Sequence, residues 1–363
     1  MPIVADGLAL TYKNILIVRT DRIGDVVLTL PLIQVLRKKF PLARISFLAR
    51  SYTNDVVEGQ PGLDDVVLYD NDGVQKPFRM ILSELVKSKF DVAVVAYPRF
   101  RIALLLWLAR VSTRVGSGYR WYSFLFNKRV FEHRKTATKH EFEYNLSLLK
   151  ELGCDVPPGT IPTMTIPSDA MKMVVEERKR LKISNKDTMV ILHPGSGGSA
   201  RDWSPVNFTS LAHRFAEIGW KVVVTGAAGE EDLVQRVADA SNASIGSSVG
   251  RLSLKGLAAF IKTAELFVSN STGPLHIAAA VGTPVIGFYP PILACSPQRW
   301  GPIAKRKVVF VPDRQRCELC RGGTCRGNVC MDQISVQQVV DAARGLVRGK
   351  APRKKMTNIP AFT

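Results

Sequence analysis

Thirteen residues near the N-terminus, Arg19-Thr-Asp-Arg-Ile-Gly-Asp-Val-Val-Leu-Thr-Leu-Pro31, hold two aspartates and two arginines. The apolar run Ile15-Leu16-Ile17-Val18 leads in, and Val26, Val27, Leu30, Ile33, Val35 and Leu36 lead out at helical spacing, so the stretch is a strand-to-helix corner. Loops at the carboxyl ends of parallel strands keep side chains accessible on a fixed backbone and are where α/β folds carry chemistry. A carboxylate in such a loop can take the proton of an attacking hydroxyl. An aspartate beside a helix start can equally be a cap. The residue types alone leave both roles open for Asp21 and Asp25.

Two later loops are built for an anion. In His193-Pro-Gly-Ser-Gly-Gly-Ser-Ala-Arg-Asp-Trp-Ser-Pro205 the glycines let backbone N–H groups approach a ligand around Gly195, Ser196 and Gly197. Ser204-Pro205 then starts a helix. Arg201 and Trp203 in the same loop favour a ligand site over a plain turn, whereas His193 fits a contact or a hydrogen-bonded strand end equally well. In Ser269-Asn-Ser-Thr-Gly-Pro-Leu-His-Ile-Ala-Ala-Ala-Val-Gly282 a strand runs directly into a small-residue helix, and Ser271, Thr272 and Gly273 stand at its positive end. A purely structural cap is the plain alternative there. His276, one turn in, adds a polar group to an apolar helix.

These loops need two sheets to position them. The chain of 363 residues suits two α/β domains, and strand and helix patterns alternate along it, as parallel sheets with crossover helices require. In the first half strands are expected at Ile15–Val18, Ile45–Leu48, Val66–Leu68 and Val92–Val95, with helices near 26–38, 78–88 and 140–152. The proline-rich stretch Gly153 to Ser168 reads as a linker. A second series follows, with strands at Met189–Leu192, Val222–Thr225, Leu266–Ser269 and Val285–Phe288. The expected architecture is two doubly wound, Rossmann-like domains facing a central cleft, residues 1–160 and 161–350, followed by a basic, disordered tail at 351–363. No sequence repeat relates the halves.

The net charge of +19 is concentrated. Residues 98–140 hold ten Lys/Arg against one acid, and residues 299–355 hold fourteen against four. Such clustering suits anionic partners: a phosphorylated substrate, a nucleotide or an acidic membrane surface. The longest apolar run, Ile102 to Ala109, is too short to span a bilayer. It reads as a core helix or as a helix face pressed into lipid headgroups between Arg101 and Arg110. The N-terminal residues lack the pattern of a secretory signal, so a cytoplasmic location is expected.

RxDRIGDxxLTLP, HPGSGG followed by RDW, and SNSTGPLHIAAAVGTPVIGFY, in that order and spacing over residues 13–345, resemble glycosyltransferase family 9, the heptosyltransferases of bacterial lipopolysaccharide synthesis. The resemblance implies a GT-B fold and inverting, metal-independent transfer with no cofactor required for catalysis. It implies a nucleotide-sugar donor, ADP-heptose first, held by the C-terminal domain at Gly195, Ser196, Gly197, Ser271, Thr272, Gly273 and His276. The acceptor is an acidic, lipid-anchored glycan bound by the N-terminal domain, for which Arg22, Arg120 and Arg129 are the candidates. Such an enzyme works peripherally on the inner face of the bacterial inner membrane, against an anionic surface. The motif assigns the general base to Asp25, and the charge of the family's lysine falls on Arg201. The family often has aspartate where this chain has Ser271, which leaves another nucleotide sugar open as donor.

Cys317, Cys320, Cys325 and Cys330 have the spacing of a structural zinc site, with free thiols or disulfides as alternatives. Two other functions compete: a different GT-B enzyme building cell-surface polysaccharide, and a non-enzymatic nucleic-acid-binding protein. No nucleic-acid motif is present, and nucleic acid is not an expected partner.

Overall fold

The computed structural model describes residues 12–198, 200–239, 245–313 and 330–349. The expected tail at 351–363 and three of the four candidate zinc cysteines, Cys317, Cys320 and Cys325, lie outside the described residues.

Each half of the chain forms a six-stranded, wholly parallel sheet. The first contains β1 (Asn14–Val18), β2 (Arg44–Ala49), β3 (Asp65–Leu68), β4 (Val92–Val95), β5 (Thr113–Ser117) and β6 (Lys128–Val130), side by side as β3-β2-β1-β4-β5-β6. The second contains β7 (Met189–His193), β8 (Lys221–Val224), β9 (Ile245–Ser247), β10 (Leu266–Asn270), β11 (Val285–Phe288) and β12 (Lys307–Phe310), ordered β9-β8-β7-β10-β11-β12. The two orders are the same. In each, the winding reverses between the first and fourth strands, and ligands of open α/β sheets gather outside the strand ends at that reversal. The corner after β1 and the loops after β7 and β10 all begin at such a point.

The central strands are apolar throughout because a parallel strand in such a fold is covered on both faces. Ile15, Leu16, Ile17 and Val18 in β1 and Met189, Val190, Ile191 and Leu192 in β7 are all fully buried. The structure adds β5, β6, β9 and β12, which the patterning did not suggest. They lie at or beside sheet edges; β5, β6 and β9 carry few apolar positions or are very short, so neighbours set their pairing, whereas β12 is the apolar run Lys307-Val-Val-Phe310.

The expected helix over 26–38 is two helices, Ile23–Val27 and Pro31–Lys39. Pro31 has no N–H to continue the first and its fixed φ starts the second. That break has consequences, because the chain separates into two compact units along it. Residues 12–21, Thr29–Glu132 and Tyr144–Thr160 form one unit, while Arg22–Leu28, His133–Glu143 and the described residues from Ile161 onward form the other. The helix Ile23–Val27 therefore packs with the second unit although it follows the first strand of the first.

Helix Phe100–Leu108 buries Ile102, Ala103, Leu105 and Leu106 in the core of the first unit. Arg101 turns inward as well, donating to the Tyr69 hydroxyl at 3.1 Å and the Lys76 carbonyl at 2.7 Å. The run is thus a core helix along one face, with Arg101 drawn inward and not left wet, while Trp107, Leu108 and Arg110 remain exposed. Among the described residues no helix is long and apolar enough to cross a membrane.

Candidate active site

The corner after β1 is held by a buried guanidinium. Arg19 is 2% exposed; its Nε donates to Asp21 at 2.7 Å, and one terminal nitrogen donates to Asn145 Oδ1 at 3.1 Å. Asn145 in turn donates to the Thr29 hydroxyl at 3.1 Å. Asp21 is thus the counter-charge of Arg19, without which a buried cation would be costly. The residue at the N-cap of helix Ile23–Val27 is Arg22, which is exposed, and not an aspartate. Asp25 sits half-buried in the first turn of that helix.

Glycine decides where Asp25 is held. A Cβ added to Gly24 would lie 2.7 Å from Cδ2 of His276 and 3.5 Å from Cα of Gly273. A Cβ added to Gly273 would lie 2.8 Å from Ile23 Cβ and 3.3 Å from the Gly24 nitrogen. Two glycines face each other, and the helix carrying Asp25 lies against helix Gly273–Ala280 at backbone distance. His276 is buried with no hydrogen-bond partner at Nδ1. Burial pushes its imidazole down to about 3, with nearby His140 adding to the effect, so the ring is neutral.

The turn ahead of helix Gly273–Ala280 has no side-chain cap at Thr272, the N-cap residue in extended conformation, and Pro274 occupies the first turn. The capping alternative is therefore not realised by Thr272. Ser271 hydrogen-bonds Tyr289, whose hydroxyl donates to the Trp300 carbonyl at 2.7 Å, and burial raises the Tyr289 pKa. This chain orients a neutral serine where the family often has a carboxylate.

The loop after β7 is stapled to the loop after β10 by Asn270, which the sequence reading missed. Its side-chain amide donates to the Pro194 carbonyl at 2.7 Å, and its oxygen accepts from the Trp203 backbone N–H at 2.8 Å. Gly195, Ser196, Gly197, Ser271, Thr272, Gly273 and His276 thus fall together around one staple. The φ of +57° at Gly197 and +70° at Gly198 explain that glycine pair. A Cβ on Gly195 would meet the Glu230 carboxylate, so Glu230 is a further member of this loop cluster.

Two expectations for this loop change. Trp203 is fully buried, stacks on Phe288 at 4.4 Å and donates from Nε1 to the Ile334 carbonyl at 2.9 Å. It anchors the loop to the core and is no ligand contact. His193 is the hydrogen-bonded strand end: its Nδ1 pairs with the Thr225 hydroxyl at 3.0 Å, and burial lowers its pKa to about 4.

Asp202 also went unread. It accepts the Ser196 hydroxyl at 3.0 Å, its other oxygen is buried without a partner, and burial raises it to about 6, with Glu230 adding to the rise. Burial raises the Cys295 thiol, and Arg299 and Arg201 are both within electrostatic reach of it. Arg299 is held by buried Glu141 at 3.0 Å, and Glu141 also pairs with Arg134. No motif signals this network, since its members are 158 residues apart.

Of the acceptor candidates, Arg22 adjoins Asp25, while Arg120 and Arg129 are exposed in the first unit, Arg129 donating to the Phe126 carbonyl at 3.1 Å. Among the described residues no cluster of three His, Cys, Asp or Glu could hold a metal ion. Cys330 is fully buried in the core of the second unit.

The model of glycosyltransferase family 9 (heptosyltransferase) matches residues 79–329. The chain is 28% identical over 311 residues to a Haemophilus influenzae protein named provisionally as a glycosyltransferase, covering 83% of this chain and 89% of that one. It is 25% identical over 275 residues to lipopolysaccharide heptosyltransferase 3 of Escherichia coli, covering 73% and 80%. The fold superposes on Escherichia coli ADP-heptose lipopolysaccharide heptosyltransferase II with a TM-score of 0.76 at 21% identity, over 93% of this chain and 99% of that one. Two doubly wound sheets, the helix of Asp25 packed on the Thr-Gly-Pro turn and a family match over most of the length agree: the chain belongs to glycosyltransferase family 9 and is a glycosyltransferase of GT-B fold.

Proposed function

We propose that the chain transfers heptose from ADP-heptose to the inner core of lipopolysaccharide, with inversion and with Asp25 as general base. The observation that supports this reading is the seating of the helix that carries Asp25 in its first turn on Gly273 and His276. In the reaction the acceptor hydroxyl oxygen bonds to the anomeric carbon as Asp25 takes its proton, and the bond to the nucleoside diphosphate breaks. The departing diphosphate gathers charge, which Arg201 and the free N–H groups at Thr272-Gly273 stabilise. Neutral His276 and Ser271 offer hydrogen bonds to donor sugar hydroxyls. Arg22, Arg120 and Arg129 meet the acidic groups of the acceptor. Its lipid anchor places the enzyme in the cytoplasm, peripherally on the inner membrane.

Purified protein presented with a panel of nucleotide sugars and a heptose-deficient inner core, with mass detection of the released nucleoside diphosphate, tests the reading. ADP-heptose should turn over fastest. Turnover with another nucleotide sugar and none with ADP-heptose would assign the enzyme to a different cell-surface glycan, the outcome that Ser271 leaves open. Arg201→Ala should weaken nucleoside diphosphate binding and lower turnover about 10- to 100-fold, since charge-assisted contacts to phosphate are the strong ones. Arg201→Lys should keep much of both, and calorimetry with ADP alongside the rate separates the two effects.

A further inference from the structure

The first unit carries exposed aromatic side chains in the same segment as the acceptor candidates Arg120 and Arg129, and the proposed transfer chemistry gives these rings no part. Seven aromatic side chains are exposed among the described residues; apart from Tyr52 they lie between 100 and 131, with Trp121 74%, Phe124 63% and Phe131 62% exposed. Local packing fixes the rings. Phe100 stacks on Trp121 at 4.9 Å, and Tyr119 meets Phe131 edge-on at 5.6 Å. Phe131 in turn fills the space left by Gly118, where a Cβ would come within 2.4 Å of the ring. Ordering these side chains against a partner therefore costs little conformational entropy.

The same segment is strongly basic. Arg101 and Arg114 are used inside the unit, Arg114 donating to the Leu125 carbonyl at 2.7 Å and to the Val111 carbonyl. Arg99, Arg110, Arg120, Lys128 and Arg129, in the same segment as the rings, remain exposed. Rings that belong at the headgroup level, surrounded by cations, are the chemistry of a bilayer interface with anionic lipid. A second copy of the chain would bring like charges together. A single-stranded nucleic acid needs successive open ring faces for its bases, whereas Phe100 and Trp121 stack on each other and Tyr119 and Phe131 meet edge-on. Phe124 and Phe131 offer no polar handle to a sugar.

We propose that the loop Gly118–Asn127, with Phe100 and Phe131, is a docking surface for an anionic bilayer. It names the surface for the peripheral association proposed above and stands on its own observations. The test is cosedimentation of the full chain with vesicles of phosphatidylcholine, alone or mixed with phosphatidylglycerol, at low and high salt and without donor or acceptor. Binding should require phosphatidylglycerol and fall with salt. Trp121→Ser combined with Phe124→Ser should weaken it roughly tenfold, as loss of two interfacial rings implies, while melting and transfer to a lipid-free acceptor stay unchanged. Equal binding to both vesicles, binding to neither, or a double variant that binds like wild type would overturn the proposal. So would a variant that loses affinity for a single-stranded oligonucleotide and keeps it for vesicles. Loss of transfer in every protein with vesicle binding intact would count against the substrate reading alone and support the docking surface.

Discussion

Asp25→Asn should lower turnover by about 10²- to 10⁴-fold, the range of general-base catalysis, and leave donor affinity nearly unchanged. The substitution preserves shape and removes only the group that can take the proton. Two features sharpen the expectation. Asp21, the other aspartate of the corner, is committed to Arg19 at 2.7 Å, so it is not placed to replace Asp25. His276, the nearest imidazole to that helix, is held down at about 3 by burial and is too weak a base to substitute. Single-turnover rates and ADP calorimetry on the variant check both halves. A variant that keeps more than about a tenth of wild-type turnover would remove Asp25 from the base role and return it to a structural one.

Gly24→Ala is the second change with a large expected effect, and it acts through geometry. The added methyl would sit 2.7 Å from His276, whose helix is buried along its length, so the ring has no route away. Overpacking of this kind costs about 1–3 kcal/mol. Relief by tilting helix Ile23–Val27 would carry Asp25 with it, and a displacement of about 1 Å can cost on the order of 100-fold in rate. The expected result is a lower melting temperature together with at least a tenfold loss of kcat. Adding His276→Ala should make the double variant less destabilised than the two single variants summed, because the methyl then has space. A Gly24→Ala protein that melts and turns over like wild type would show that the close approach does not constrain the site.

Much of the second unit's site is legible in the sequence because its constraints are local. A glycine pair that needs positive φ, a Ser-Pro helix start and a strand running into Thr-Gly-Pro each fix backbone within a few residues, and those loops stand where the motifs put them. The central strands are legible for a similar reason, since burial on both faces demands uninterrupted apolar runs such as Ile15–Val18 and Met189–Leu192.

What the tertiary structure alone decided depends on partners distant in the chain. Two sheets share one strand order with no sequence repeat behind it, because the handedness of crossovers restricts topology while many apolar sequences satisfy it. Trp203, in a loop that reads as ligand-binding, is claimed by Phe288 and Ile334. Arg19 takes Asp21, an assignment that neighbouring Arg22 made ambiguous from sequence, because burial makes the pairing obligatory for Arg19 and not for an exposed side chain. The sequence determined that Asp25 lies at a strand-to-helix corner; that its helix belongs with the second unit was decided by two glycines 249 positions apart, Gly24 and Gly273, whose missing side chains let two backbones meet.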